Sequence, residues 1–381
     1  MTADPLSSSA LFRDWACAAA FPLWATRGFD HRAGRFEERL SLSAERCLHV
    51  PIRLMSQARQ IHSYALAARG SWYADGLALV EHAYGSMVRD FYRADGNEGW
   101  IFSIKPDGAP ADTKRDLYSH AFALLAVASY AGATGKAQAL TLADETLAFL
   151  ERQMASPEGG FVEQLPAGGH VRRQNPHMHL LEALLALWEC SGDHRYLDRA
   201  HRLVDLFASR FFREDCGALG EYYTASLAPA EGVRGQLVEP GHHYEWIWLL
   251  RRFEVAAGLA LDRYTEALYA HAERHGFDEE GLIVDEVLAE GGHHRRSRRI
   301  WPITEAIKAN LLQAARGRAD CITKAARLTG LLCDRFLLND PAGGWVDRLD
   351  AKGRCASEFM PASTLYHLAG ALDEWGRFQA R

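Results

Sequence analysis

The 381-residue chain lacks most of the signatures that would fix a fold or a chemistry at once. Its seven cysteines (Cys17, Cys47, Cys190, Cys216, Cys321, Cys333, Cys355) are odd in number and scattered without a C-x-x-C pair. That excludes a disulfide framework and a zinc ribbon. Nowhere do about 18 apolar residues run together, as a membrane span requires, and the short apolar stretch near the start is accompanied by Asp4, Arg13 and Asp14. Lys plus Arg number 43 against 49 Asp plus Glu, a net charge of −6. This mild acidity argues against nucleic acid or an anionic membrane as the main partner. Phosphate-loop, dinucleotide, zinc-protease and nucleophile-elbow motifs are all missing. No Pro/Ser/Gly-rich or charged run is long enough to be an interdomain linker. The expectation is a cytoplasmic protein forming a single domain over residues 1–381.

What the chain does have is a repeat. A glycine-initiated, β-like phrase recurs as Gly34-Arg-Phe, Gly99-Trp-Ile, Gly160-Phe-Val, Gly220-Glu-Tyr, Gly281-Leu-Ile and Gly344-Trp-Val, at intervals of 60 to 65 residues. Alternating apolar residues between glycine turns predict a small hairpin, and the fourth copy matches least well. After each hairpin comes an apolar helical stretch ending at glycine: Arg53–Gly70, Asp116–Gly132, His177–Gly192, His242–Gly258, Pro302–Gly317 and Ser363–Gly376. Between them lie amphipathic stretches such as Lys136–Met154 and His194–Phe212. Six units of wet helix, hairpin and buried helix predict an all-α fold, an (α/α)6 toroid with short β-hairpins at one end.

The buried stretches carry their polar residues near their starts: Arg53, Gln57 and Arg59; Asp116, Tyr118 and His120; Asn175, His177, His179 and Glu182; Glu239, His242, His243 and Glu245; Trp301, Glu305 and Lys308; Tyr366 and His367. Parallel inner helices bring these starts to one mouth, which makes a binding pocket by geometry. Buried long-chain charges such as Glu305 are expected to face that cavity. A lone buried histidine is usually structural, but recurrence of His at one level in several repeats has no evident packing reason. His177 and His179 diverge by about 200° on a helix, so only one points inward. His271 and His275, four apart on a wet helix, have no accompanying carboxylate or Cys at ligand spacing, so no metal site is expected. The run His293 to Arg299 reads as a solvated loop rim.

Several segments together are identified with a known family. Arg172-Arg-Gln-Asn-Pro-His-Met-His-Leu-Leu-Glu-Ala183, Glu239-Pro-Gly-His-His-Tyr-Glu-Trp246, Arg299-Ile-Trp-Pro-Ile-Thr-Glu305 and Met360-Pro-Ala-Ser-Thr-Leu-Tyr-His367 resemble the N-acylglucosamine 2-epimerase superfamily. So do Arg53-Leu-Met-Ser-Gln-Ala-Arg59 and Asp116-Leu-Tyr-Ser-His-Ala-Phe122. Asn175-Pro-His-Met-His179 looks most like its mannose isomerase branch, while Leu249-Leu250 is shared with cellobiose 2-epimerases. The resemblance implies an (α/α)6 barrel that moves a proton beside a sugar carbonyl using histidines, without a redox cofactor; no metal is expected, since the pocket histidines lie on different helices without Cys. It implies sugar contacts from Arg53, Tyr118, Asn175, His179, Trp301 and Glu305, and an acid/base pair in His242 and His367; Arg234 is a looser match to a substrate arginine.

For mannose–fructose interconversion, a base of near-neutral pKa takes the C2 proton while donors stabilise the enediolate. His367 is assigned as that base. His242, oriented by Glu245, serves the ring and carbonyl oxygens, with His179 and Arg53 on the enediolate; the two acid/base roles are interchangeable at this stage. A sugar 2-epimerase is the alternative, needing proton delivery to the opposite face of C2. A glycosidase would need paired carboxylates across the pocket, and a non-catalytic sugar-binding toroid would have lost one of the histidines. The expected partner is a monosaccharide, with no nucleic acid or membrane, and the sequence leaves monomer and homodimer open.

Overall fold

The computed structural model describes residues 5–169 and 171–381, so Asp4 lies outside them. Thirteen α-helices follow one another among the described residues. The first two, α1 (Pro5–Trp15) and α2 (Phe21–Thr26), are joined by a π-turn over Ala16–Ala20. Then come α3 (Leu54–Arg69), α4 (Gly76–Phe91), α5 (Leu117–Thr134), α6 (Leu140–Phe149), α7 (Asn175–Ser191) and α8 (His194–Leu206). The chain continues through α9 (Pro240–Ala257), α10 (Asp262–His275), α11 (Ile300–Ala315), α12 (Ala319–Arg335) and α13 (Leu365–Gln379).

The odd-numbered helices from α3 to α13 form the inner ring: each packs on the next, and α13 closes the circle against α3. The others lie outside, one against each inner helix, with α1 wedged beside α12 and α13. This division follows from side-chain pattern. In α5 the run Leu117 to Ala128 is buried at nearly every position, whereas α8 buries only Tyr196, Leu197, Ala200, Leu203, Val204 and Leu206. A helix apolar all round must be enclosed, and one with a single apolar stripe covers it. The fold is an (α/α)6 barrel.

Short antiparallel pairings tie the hairpins into a second ring at one end. The strand entering each inner helix bonds to the next repeat's hairpin, for example Arg115–Asp116 with Gln164–Leu165 and Arg172–Arg173 with Tyr222–Tyr223. Phe359–Pro361 pairs with Arg39–Ser41, which joins the last repeat to the first.

Two sequence expectations need correction. Gly132 and Gly376 do not end helices: α5 runs on to Gly135, which takes the left-handed conformation at φ 71°, and α13 passes through Gly376. Gly132 instead faces Cys190 across the α5–α7 contact, where a Cβ would meet that side chain at 3.4 Å. In the fourth hairpin, Phe212–Arg213 pairs with Ala218–Leu219 around Gly217 at φ 65°, so Gly220 is not its turn glycine.

Candidate active site

The hairpins hold the starts of the inner helices. Carboxylates reach up from them to accept the amide of the residue entering a helix: Glu38 from Arg53 (2.9 Å), Glu163 from Arg173 (2.8 Å), Glu221 from Glu239 (3.2 Å) and Asp285 from Arg299 (3.0 Å). An anion at a helix N-terminus satisfies amides that have no intrahelical partner. Asp116 does the same for α5 from within the chain, accepting from the Ser119 amide. The helix starts are thereby fixed around one mouth.

The recurring histidines divide into two classes. His120, His177 and His243 point outward from the inner ring, and each ring Nε2 accepts a hairpin amide, from Trp100, Phe161 and Leu219 at 2.9–3.1 Å. Gln57 accepts the Phe36 amide at the same place in the first repeat. Packing therefore does explain this recurrence: a buried N–H needs an acceptor. Burial holds His120 at about 4 and His177 at about 3, so both stay neutral, as accepting requires.

His179, His242 and His367 point inward. They share a cavity of about 300 Å³ with Tyr118, Asn175, Glu245 and Trp301, to which Arg59, Glu239, Arg299, Asp347, Arg348 and Thr364 contribute. Trp301 lies between two of these inward histidines, its ring 4.9 Å from that of His242 and 5.8 Å from that of His367.

Each inward histidine rests on its own carboxylate. His242 Nδ1 is 3.0 Å from both Glu221 oxygens, and its Nε2 is 3.0 Å from the Asn175 amide. His367 Nδ1 meets Glu305 at 2.8 Å, and His179 Nδ1 meets Glu182 at 3.0 Å. Tyr366 also donates to Glu182, at 2.5 Å. The expected orienting role of Glu245 on His242 is therefore filled by Glu221; Glu245 sits 3.8 Å from His179. Burial and the neighbouring Glu305 push the Glu245 carboxyl upward, and one of its oxygens has no hydrogen-bond partner.

The protonation states of the histidines differ. Desolvation lowers His242, but Glu221 and Glu239 outweigh it and raise the group to about 9. Desolvation, with Arg59 and Lys308 nearby, drives His367 well below the ordinary value. His179 is lowered to about 4, chiefly by burial. At neutral pH the cavity thus presents one imidazolium and two neutral imidazoles. As imidazolium, His242 donates from both nitrogens, and the Asn175 amide oxygen, buried without a partner, is the acceptor that an amide turned over would bring to Nε2.

Three sequence candidates lie elsewhere. Arg53 does not line the cavity; its guanidinium is held by Glu38 at 2.5–2.7 Å. Its place is taken by Arg59, which donates to the Tyr118 hydroxyl at 2.6 Å and lies over the Phe122 and Tyr366 rings. Arg234 is exposed over the Tyr222 ring, away from the cavity wall. Glu305 is completely buried behind His367 and does not face the cavity. The basic run is not simply a solvated rim either: Arg298 is buried on Asp278, and Arg299 joins Glu239 and Asp285 at the cavity edge. His271 bonds the Ala289 carbonyl, as a structural histidine does.

Among the described residues, three groups of His and carboxylate atoms are close enough to surround a cation: His179–Glu182–Glu245, Glu221–Glu239–His242 and Glu245–Glu305–His367. In the last two, most donor atoms are already engaged by Arg299, Lys308 or the histidine itself.

Comparison with known proteins agrees with this architecture. The model of the N-acylglucosamine 2-epimerase family matches residues 34–371, and the chain belongs to that family. It is 33% identical over 94% of both chains to a mannose-6-phosphate isomerase of Rhizobium meliloti (strain 1021). A D-mannose isomerase of Thermobifida fusca is 30% identical over 61% of each chain. The solved cellobiose 2-epimerase of Bacillus thermoamylovorans superposes with a TM-score of 0.87 at 18% identity, covering 98% of this chain and 99% of its own, a likeness of fold. The chain is a sugar isomerase or epimerase of this family.

Proposed function

We propose that the protein is an aldose–ketose isomerase that interconverts D-mannose and D-fructose through an enediol. The observation that carries this reading is a pair of histidines facing one cavity, each with Nδ1 on its own buried carboxylate, in surroundings that push His242 up and His367 down. His367, neutral and holding its Nδ1 proton against Glu305, keeps its Nε2 lone pair free to take the C2 proton and return it to C1. His242, charged and donating from Nδ1 to Glu221, has a proton on Nε2 for the carbonyl or ring oxygen. Its Nε2 is already in contact with the Asn175 amide, which suits an oxygen-directed donor better than a second base for carbon. Arg59 and neutral His179 lie in the same wall to stabilise the enediolate. The named activities of the two relatives at 30% identity or more given above support an isomerase, while cellobiose 2-epimerases match at lower identity.

One observation favours a second reading, a 6-phosphorylated substrate like that in the name of the Rhizobium meliloti relative. Arg348 lines the cavity and has no carboxylate within ion-pair distance among the described residues.

Incubation of the enzyme with mannose, N-acetylmannosamine and cellobiose in heavy water, followed by NMR at C1 and C2, tests the proposal. Fructose forming from mannose, with deuterium at C1, is the expected result. Epimerisation of cellobiose or N-acetylmannosamine without any ketose would overturn it.

A further inference from the structure

Behind the sugar cavity lies a second chamber of about 620 Å³, at the end where the inner helices finish. Two residues in its wall belong to the catalytic arrangement as seen from the rear. Glu182 supports His179, and Lys308 places its Nζ 2.5 Å from Glu305 Oε2. Glu305 Oε1 is the acceptor for His367. His367 lines only the front cavity and Lys308 only the rear chamber, with Glu305 sealed between them. The ammonium is itself held over the Trp248 ring at 3.6 Å.

We propose that Lys308 is a positioning residue which, reaching in from the rear chamber, keeps Glu305 an acceptor and so keeps the sugar-facing nitrogen of His367 free of a proton. This rests on His367 being the base. Burial and the Glu182 carboxylate drive Glu305 toward its protonated form, and Lys308 opposes both. Among the described residues it is the only Lys or Arg paired with Glu305. Without it, a protonated Glu305 donates to Nδ1, the imidazole proton moves to Nε2, and the lone pair that should meet C2–H is lost. Lys308 does not line the sugar cavity, so the loss falls on kcat and leaves KM nearly unchanged.

The rear chamber makes the test direct, because it has room for a small alkylammonium ion in place of the lysine tip. The full-length Lys308→Ala and Lys308→Met variants, shown to be folded by circular dichroism, are assayed for fructose formation from mannose. Both are expected to lose at least about a hundredfold in kcat, since a wrong imidazole tautomer costs a serine-protease triad about 10⁴. Propylammonium should restore Lys308→Ala saturably by about tenfold or more, while propanol, of similar shape but uncharged, should not. Lys308→Met, which fills the space, should stay low in both. Near-wild-type turnover of Lys308→Met, equal rescue by propanol, or no rescue of folded Lys308→Ala by propylammonium would each overturn the proposal. A His367→Ala variant with wild-type turnover would instead remove the base assignment itself, whatever Lys308 does.

Discussion

At the scale of single residues, two kinds of histidine make opposite predictions from similar burial. His242→Ala and His367→Ala should each lower kcat by at least about a hundredfold, the scale of a positioned acid or base; steady-state rates with a matched thermal melt check this. The state of His242 also sets an alkaline limit. Its folded value, raised to about 9 by Glu221 and Glu239 against desolvation, means that the imidazolium is present below that pH and lost as pH rises through it. Glu221→Gln removes the first of those carboxylates, so the alkaline limb of kcat/KM should move down by about one pH unit or more. An unmoved limb in initial rates from pH 6 to 10 (roughly the window bracketing both values) would show that His242 does not carry that limb. The sequence exposed His242 and His367 through their motifs, but not Glu221, which stands 21 residues before His242 and meets it across a hairpin. Spacing along a chain carries no signal for such a contact. Arg53 and Arg59 were both visible; which one lines the cavity depends on whether the residue sits at the helix cap or a turn and a half inside.

At the scale of elements, the outward histidines pin hairpins to inner helices, and this bears on stability rather than turnover. His177→Ala leaves the Phe161 amide without its acceptor and should cost about 1–3 kcal/mol, with kcat little changed. His177→Gln should be milder, because Gln57 already does this work in the first repeat. The pH dependence has a definite sign. His177 is held neutral at about 3 when folded and titrates near 6.5 when unfolded, so the unfolded chain binds more protons between those values. Its contribution is complete above about 6.5 and lost as pH falls toward 3. Urea unfolding at pH 7 and pH 5 should therefore show a smaller loss in His177→Gln than in the native chain; an equal loss would place the acid sensitivity elsewhere. The period of these elements was legible because each repeat needs a turn glycine, an enclosed helix and a covering helix. Helix ends were less so. Glycine stops a helix only where the following chain turns away, and at Gly132 its use is close approach to Cys190 instead.

At the scale of the whole molecule, the parallel inner helices bring six positive helix ends to the substrate mouth, an arrangement that attracts anions in principle. Most of that attraction is already answered. Glu38, Glu163, Glu221 and Asp285 occupy entering amides, and Arg299 is neutralised by Glu239 and Asp285. Arg59 lies against aromatic rings deep in the wall. Arg59 has no ion-pair partner among the described residues either but is committed to the Tyr118 hydroxyl and those rings, which leaves Arg348, beside the carboxylates Asp347 and Glu239, as the uncommitted cation of the edge. A phosphate dianion normally needs two or more convergent cations to offset its desolvation. The unmodified sugar should therefore be preferred, with kcat/KM for mannose above that for mannose 6-phosphate. Arg348→Ala should change the mannose value by less than about threefold, since a rim cation contributes little to a neutral ligand. A preference of about tenfold or more for the phosphorylated sugar, abolished in Arg348→Ala, would show that this one arginine and the helix ends are enough to hold a phosphate, and that the mouth is less neutral than its ion pairs imply.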